Sequence, residues 1–153
     1  MNAGRVSTDD DYLSYLLARA SHVVASAFHE ELRARGLSVL EWRVLAALSG
    51  GHALCVGSLA DLVLAQQPTV TKLLDRMARS GTIERVAADD DRRRSMIRAT
   101  PLGRAQAAAL LARSRECEEA SFAALNATEA RLLKHALLKL IERPTQDRAP
   151  RTR

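Results

Sequence analysis

At 153 residues the chain has room for one domain with added oligomerisation elements. Its 47% apolar content supports a packed core, yet aromatics are only 3%, so Ala and Leu dominate and favour helices over strands. A formal net charge of +5 makes nucleic acid the first candidate partner. The sequence has no run of about 18 apolar residues, which excludes a transmembrane helix. Its start, MNAGRVSTDDD, lacks the apolar core of a secretory signal. Cys55 and Cys117 form neither a disulfide framework nor a CxxC zinc pattern, so the expected location is the cytoplasm, with no membrane contact.

Residues 1–9 read as a flexible arm. From Asp10 to Arg35 the residues Leu13, Leu16, Leu17, Ala20, Val24, Ala27, Phe28 and Leu32 recur at helical spacing, which predicts one long amphipathic helix stopped by Gly36. Ser38 with Glu41 is a capping-box pattern for a second helix that turns Trp42, Leu45 and Leu48 inward and ends at Gly50-Gly51. Residues 53–56 read as a short strand, and Ser58 with Asp61 as the cap of a third helix. Pro68 suits the first turn of a fourth helix, with Val70, Leu73, Leu74 and Met77 inward and Ser80-Gly81 at its end.

Residues 82–86 and 95–99 read as paired strands, with Met96 and Arg98 on one side of the second and Ile97 and Ala99 on the other. A polar turn, residues 88–94, joins them. Thr100-Pro101 caps and opens a fifth helix running to about Ala124, and Asn126 with Glu129 caps a last one through about Glu142. Residues 143–153 carry Pro and Arg without an apolar anchor and read as a flexible basic tail. The expected fold is mainly α with a small β-wing: a winged helix-turn-helix at about 38–100. It is flanked by helices at about 10–35 and 101–142 that bury their spare apolar faces in a homodimer.

The stretch LADLVLAQQPTVTKLLDRMARSGTIERVAADDDRRRSMIRATPLGR carries a family pattern. Val70-Thr71, Leu74-Asp75-Arg76, Gly81 to Arg85, Asp91-Arg92-Arg93 and Thr100 to Gly103 match it in order, and LSVLEWRVLAAL resembles the family's second helix. Over about Asp10 to Glu142 the chain resembles the MarR family of winged helix-turn-helix regulators. It departs in carrying Leu64 where the family often has Gly, and Ala99-Thr100 where the family has Leu-Thr.

The resemblance implies a ligand-responsive DNA-binding regulator, a repressor on a palindromic operator released by a small aromatic or anionic effector. The four histidines (His22, His29, His52, His135) lack metal-ligand spacing, and there is no nucleophile elbow or phosphate-binding Gly loop, so no enzyme activity, cofactor or metal is expected. Helical spacing turns Gln66, Gln67, Pro68, Thr69, Thr71, Lys72 and Arg76 toward a major groove: Gln67 for adenine, Thr69 for a thymine methyl or phosphate, Lys72 and Arg76 for phosphate or guanine. In the wing, Asp91 and Arg93 share one side of an extended strand, so Asp91 is expected to hold Arg93 for the minor groove, with Arg92 and Arg94 toward phosphate or solvent. Between Gln66 and Arg104 stand nine basic and five acidic residues, most of the chain's excess charge.

The effector, expected to be an aromatic carboxylate or phenolic, is assigned to Tyr15, Arg19, His22, His29, Trp42 and Arg43. Arg19 and His22 share a helix face and can hold a carboxylate, and Trp42 offers a stacking wall. Two other readings remain. One is a thiol-switched regulator using Cys55, near a helix start, or Cys117, whose neighbours Glu116 and Glu118 disfavour a thiolate. The other is a winged-helix scaffold for protein or RNA.

Overall fold

The computed structural model describes residues 12–87 and 95–142. These form α1 (Leu13–Ala34), α2 (Val39–Leu48), β1 (Leu54–Cys55), α3 (Val56–Leu62), α4 (Gln67–Arg79), β2 (Ile83–Ala87), β3 (Ser95–Ala99), α5 (Pro101–Phe122) and α6 (Ala127–Ile141). The mainly helical fold with a small wing sheet is the one expected. The terminal segments expected to be arm and tail, residues 1–9 and 143–153, lie outside the described residues.

Local chemistry sets most boundaries. Gly36 takes φ +70° after α1, and the Leu37 N–H reaches back to the Leu32 carbonyl at 2.9 Å, closing the helix end. Both capping boxes form: Ser38 Oγ accepts the Glu41 N–H at 3.1 Å, and Asn126 Oδ1 accepts those of Thr128 and Glu129 at 3.0 Å. Thr100 Oγ1 caps α5 by accepting the Gly103 N–H at 3.1 Å.

Two expectations are corrected. The third helix begins at Val56, so the strand before it shrinks to Leu54–Cys55. Its cap is Cys55 rather than Ser58: the thiol accepts the Ser58 N–H at 3.4 Å. Ser58 therefore sits inside the first turn as the donor that needs capping, not as the cap.

The sheet runs β1-β3-β2, antiparallel throughout, with Ile97 paired to Leu54 on one side and Arg85 on the other. Ile97 and Ala99 are buried while Arg98 is exposed, as the alternation required. One core joins Phe28 and Leu32 of α1, Val44, Leu45 and Leu48 of α2, Leu59 of α3, Leu74 of α4, Ile97 of β3 and Leu110 of α5. The start of α1 and the whole of α6 stay outside it: α6 has no buried residue.

Candidate nucleic-acid interface

The fourth helix presents two faces. Val70, Leu73, Leu74 and Met77 are buried against the rest of the winged unit. Opposite them Gln66, Gln67, Pro68, Thr69, Lys72 and Arg76 are exposed. Gln66 is the N-cap without a side-chain cap bond, and Pro68 stands in the first turn, where a missing N–H costs nothing. Thr71 is only half-buried and its hydroxyl donates to the Gln67 carbonyl at 2.9 Å, so it is committed to the helix backbone.

The turn that aims this helix departs from the common pattern in an informative way. Leu64 takes φ +57° directly after α3. The Ala65 N–H bonds back to the Ala60 carbonyl at 3.1 Å, and the Leu64 N–H to that of Asp61 at 3.2 Å, a left-handed helix end normally given to glycine. The geometry is kept, and a leucine bears the strain of it. Arg43 of α2 helps hold this end by donating from Nη1 to the Val63 carbonyl at 3.3 Å.

The basic residues are less free than their number implies. Arg85 pairs with Asp75 at 2.7 Å, Arg98 with Glu84 at 2.9 Å and Arg76 with Glu41 at 3.0 Å. Arg104 donates to the Ala99 carbonyl at 2.8 Å. Among the described residues Lys72 and Arg79 have no carboxylate partner. The pairings of Arg76 and Arg85 join residues from different elements, so helical spacing alone did not show them. Glu41 was visible only as a capping residue. The wing residues Asp91, Arg92, Arg93 and Arg94 lie outside the described residues, beyond the last sheet pair Ala87 and Ser95.

The residues expected at an effector site make contacts within α1 and between α1, α2 and α3. The Arg19 guanidinium lies 5.7 Å from the Tyr15 ring centroid on the exposed start of α1, and His22 is exposed. Trp42 is half-buried and meets Phe28 edge-on, with centroids 5.2 Å apart and an interplanar angle of 76°. His29 is held below its ordinary pKa, first by burial and then by the charges of Arg43, Arg33 and His22. A cavity of about 540 Å³ between α5 and α6 is lined by Arg115, Phe122, Leu133, Lys134, Leu137 and Leu138, among others. A second, of about 410 Å³, is lined by Ala27, Arg113 and Cys117 with their α5 neighbours. Neither includes Tyr15, Arg19, His22, Trp42 or Arg43.

Cys55 and Cys117 are both half-buried. Cys55 serves as the α3 cap, and Cys117 packs against the core. Among the described residues no group of three or more His, Cys, Asp or Glu is arranged to hold a metal, and no helix is long and apolar enough to cross a membrane.

A family model described as MarR family matches residues 35–94, from the residue after α1 to the one before β3. The crystal structure of the MarR family transcriptional regulator SPO1453 from Silicibacter pomeroyi DSS-3 is 36% identical with a TM-score of 0.77, covering 89% of this chain and 99% of that one. The transcriptional activatory protein BadR of Rhodopseudomonas palustris is 29% identical over 112 residues, 65% of this chain and 64% of BadR. The HTH-type transcriptional repressor IacR of Pseudomonas putida is 25% identical over 128 residues, 84% of this chain and 77% of IacR. The chain thus spans just under two thirds of one curated relative and more of the other. With the motif order, the winged sheet and the two-faced fourth helix, these likenesses lead to one conclusion: the chain belongs to the MarR family of winged helix-turn-helix transcriptional regulators.

Proposed function

We propose that the chain is a homodimeric repressor that reads a palindromic operator and is released by a small aromatic or anionic effector. The observation that carries this reading is α4, whose outward face offers Gln67, Thr69 and Lys72 while its inward face is fully buried. Short polar side chains near a helix start, followed by a cation, suit base edges and phosphates in a major groove. The wing residues Asp91 to Arg94 extend the contact to the adjacent groove.

Dimerisation is supported by α6, which has no buried residue yet exposes Leu132 by 61% and Ile141 by 76%. Such faces need a partner. The unit 10–142 then divides into a DNA-reading head and flanking helices that join two copies. Repression needs only occupancy of promoter DNA, which the head supplies without another surface. Two proteins that share the fold at lower identity support the effector class: BpsR of Bordetella bronchiseptica is described as regulated by 6-hydroxynicotinic acid, and NadR is in complex with 4-hydroxyphenylacetate.

Selection of duplexes from a random library tests the proposal. A symmetric site with half-sites roughly 34–36 Å apart is expected. Thermal unfolding with a panel of aromatic acids then identifies the effector, because a binder raises the midpoint by mass action. A library that yields no enriched duplex favours the protein- or RNA-binding scaffold.

A further inference from the structure

Arg76 stands on the exposed face of α4, and its ion-pair partner belongs to a different helix. Arg76 Nη2 stands 3.0 Å from Glu41 Oε2 of α2. That same oxygen accepts the Ser38 N–H at 2.9 Å and the Ser38 hydroxyl at 2.8 Å. Both Ser38 donors converge on this oxygen, at a helix start that favours negative charge, so the carboxylate is a fixed anchor against which the Arg76 guanidinium sits as an ion pair. The Glu41 side chain is 14% exposed and that of Arg76 58%, so the anchor is sheltered and the arginine open. A guanidinium carries five N–H donors in a rigid fork, and this contact leaves most of them for another acceptor. Lys72, one turn earlier on α4, shares the exposed face.

We propose that Glu41 is a positioning residue for DNA reading: it holds Arg76 in the pose that meets the operator, so the side chain's ordering is completed on folding rather than on binding. This rests on α4 being the groove-reading helix. The neighbours of Glu41 add a consequence. Trp42 meets Phe28 of α1 and Arg43 meets the Val63 carbonyl at the end of α3. Successive residues of α2 therefore touch α4, α1 and the end of α3.

The test is Glu41→Gln, whose amide oxygen can still accept both Ser38 donors. Affinity is measured for a duplex selected by the parent protein and for a scrambled duplex of equal length, over a range of salt. The specific-to-nonspecific ratio is expected to fall roughly fivefold, a coupling of ordinary size for contacting residues. Nonspecific affinity holds or rises, since a negative charge is gone. In an Arg76→Ala background the same substitution should leave the ratio unchanged. Arg76→Lys, which leaves the α2 cap intact and keeps the charge but removes the fork, should lower the ratio as well. The inference is overturned by an unchanged ratio in Glu41→Gln, by parallel tightening on both duplexes, or by an equal loss without Arg76. A parent protein that does not discriminate the duplexes defeats the operator reading itself, and this inference with it; that outcome is visible before any variant is made.

Discussion

A Cβ placed on Gly103 would stand 1.9 Å from the carbonyl oxygen of Thr82. The first turn of α5 therefore lies directly on the chain entering the wing, and the same carbonyl accepts the Thr100 N–H at 3.1 Å. Backbone meets backbone here, so no flexible side chain can yield. Gly103→Ala should destabilise the fold by about 1–3 kcal/mol, the usual range for overpacking. Urea unfolding at fixed protomer concentration reads it, and an unshifted midpoint would show that α5 can move off the wing freely.

Leu64 is 81% exposed and sits at φ +57°, so its side chain gains little while its backbone is strained. A left-handed L-residue costs roughly 1–2 kcal/mol, and a glycine returns part of that through its looser unfolded chain. Leu64→Gly should stabilise by about 0.5–1 kcal/mol, and Leu64→Ile should destabilise because branching at Cβ worsens the clash. Thermal unfolding of both variants checks the opposite signs.

Arg113 of α5 grips Glu31 of α1 with Nε at 3.1 and 3.0 Å from the two oxygens and Nη2 at 2.9 Å from Oε2. It also pairs with Glu116. The hydrogen bond from Arg113 is the main reason the Glu31 carboxyl titrates below its ordinary value of 4.5, against a smaller opposing effect of desolvation. A depressed carboxylate contributes stability that is complete above the ordinary value and lost as pH falls through the folded one. Arg113→Met should therefore be less stable than the parent at neutral pH, with the gap narrowing in acid. A gap independent of pH would mean that packing, not charge, joins these helices.

His29 works in the opposite direction. Its folded pKa lies below the ordinary 6.5, chiefly through burial, so the unfolded chain takes up a proton first as pH falls. This residue adds no penalty above that value and an increasing one below it. His29→Gln should flatten the loss of stability between neutral pH and mild acid, read as the unfolding midpoint across that range.

Lys72 and Arg79 have no carboxylate partner among the described residues, whereas Arg85 and Arg98 are paired across the winged unit. Replacing Lys72 or Arg79 with Ala should reduce the slope of log affinity against log salt by about one each, as a lost phosphate contact does. Arg85→Ala should change the slope less, because its charge is already balanced by Asp75. Equal slopes for all of these variants would mean that this face does not meet phosphates.

Much of the architecture was legible because it depends on neighbours in the chain. The spacing of Val70, Leu73, Leu74 and Met77 marked the buried side of α4, and the alternation of Ile97 with Arg98 gave the face of β3. The boxes at Ser38 and Asn126 marked helix starts because capping is a contact over three residues. The α3 start was misplaced because Cys55 is a poor cap by composition, and only the folded turn brings its sulfur to the Ser58 N–H.

What the sequence determined by itself is the order of elements, their inward faces and the family pattern, since each follows from periodicity or from spacing along one segment. The tertiary structure decided which charges are committed. Glu41 with Arg76, Asp75 with Arg85 and Glu31 with Arg113 are pairs between elements, and a charge count treats all six residues alike. It also decided that Trp42 meets Phe28 and that Arg43 reaches the Val63 carbonyl, because the direction of a side chain across a helix interface depends on how the helices cross. Periodicity says which side of a helix is buried; only packing says against whom.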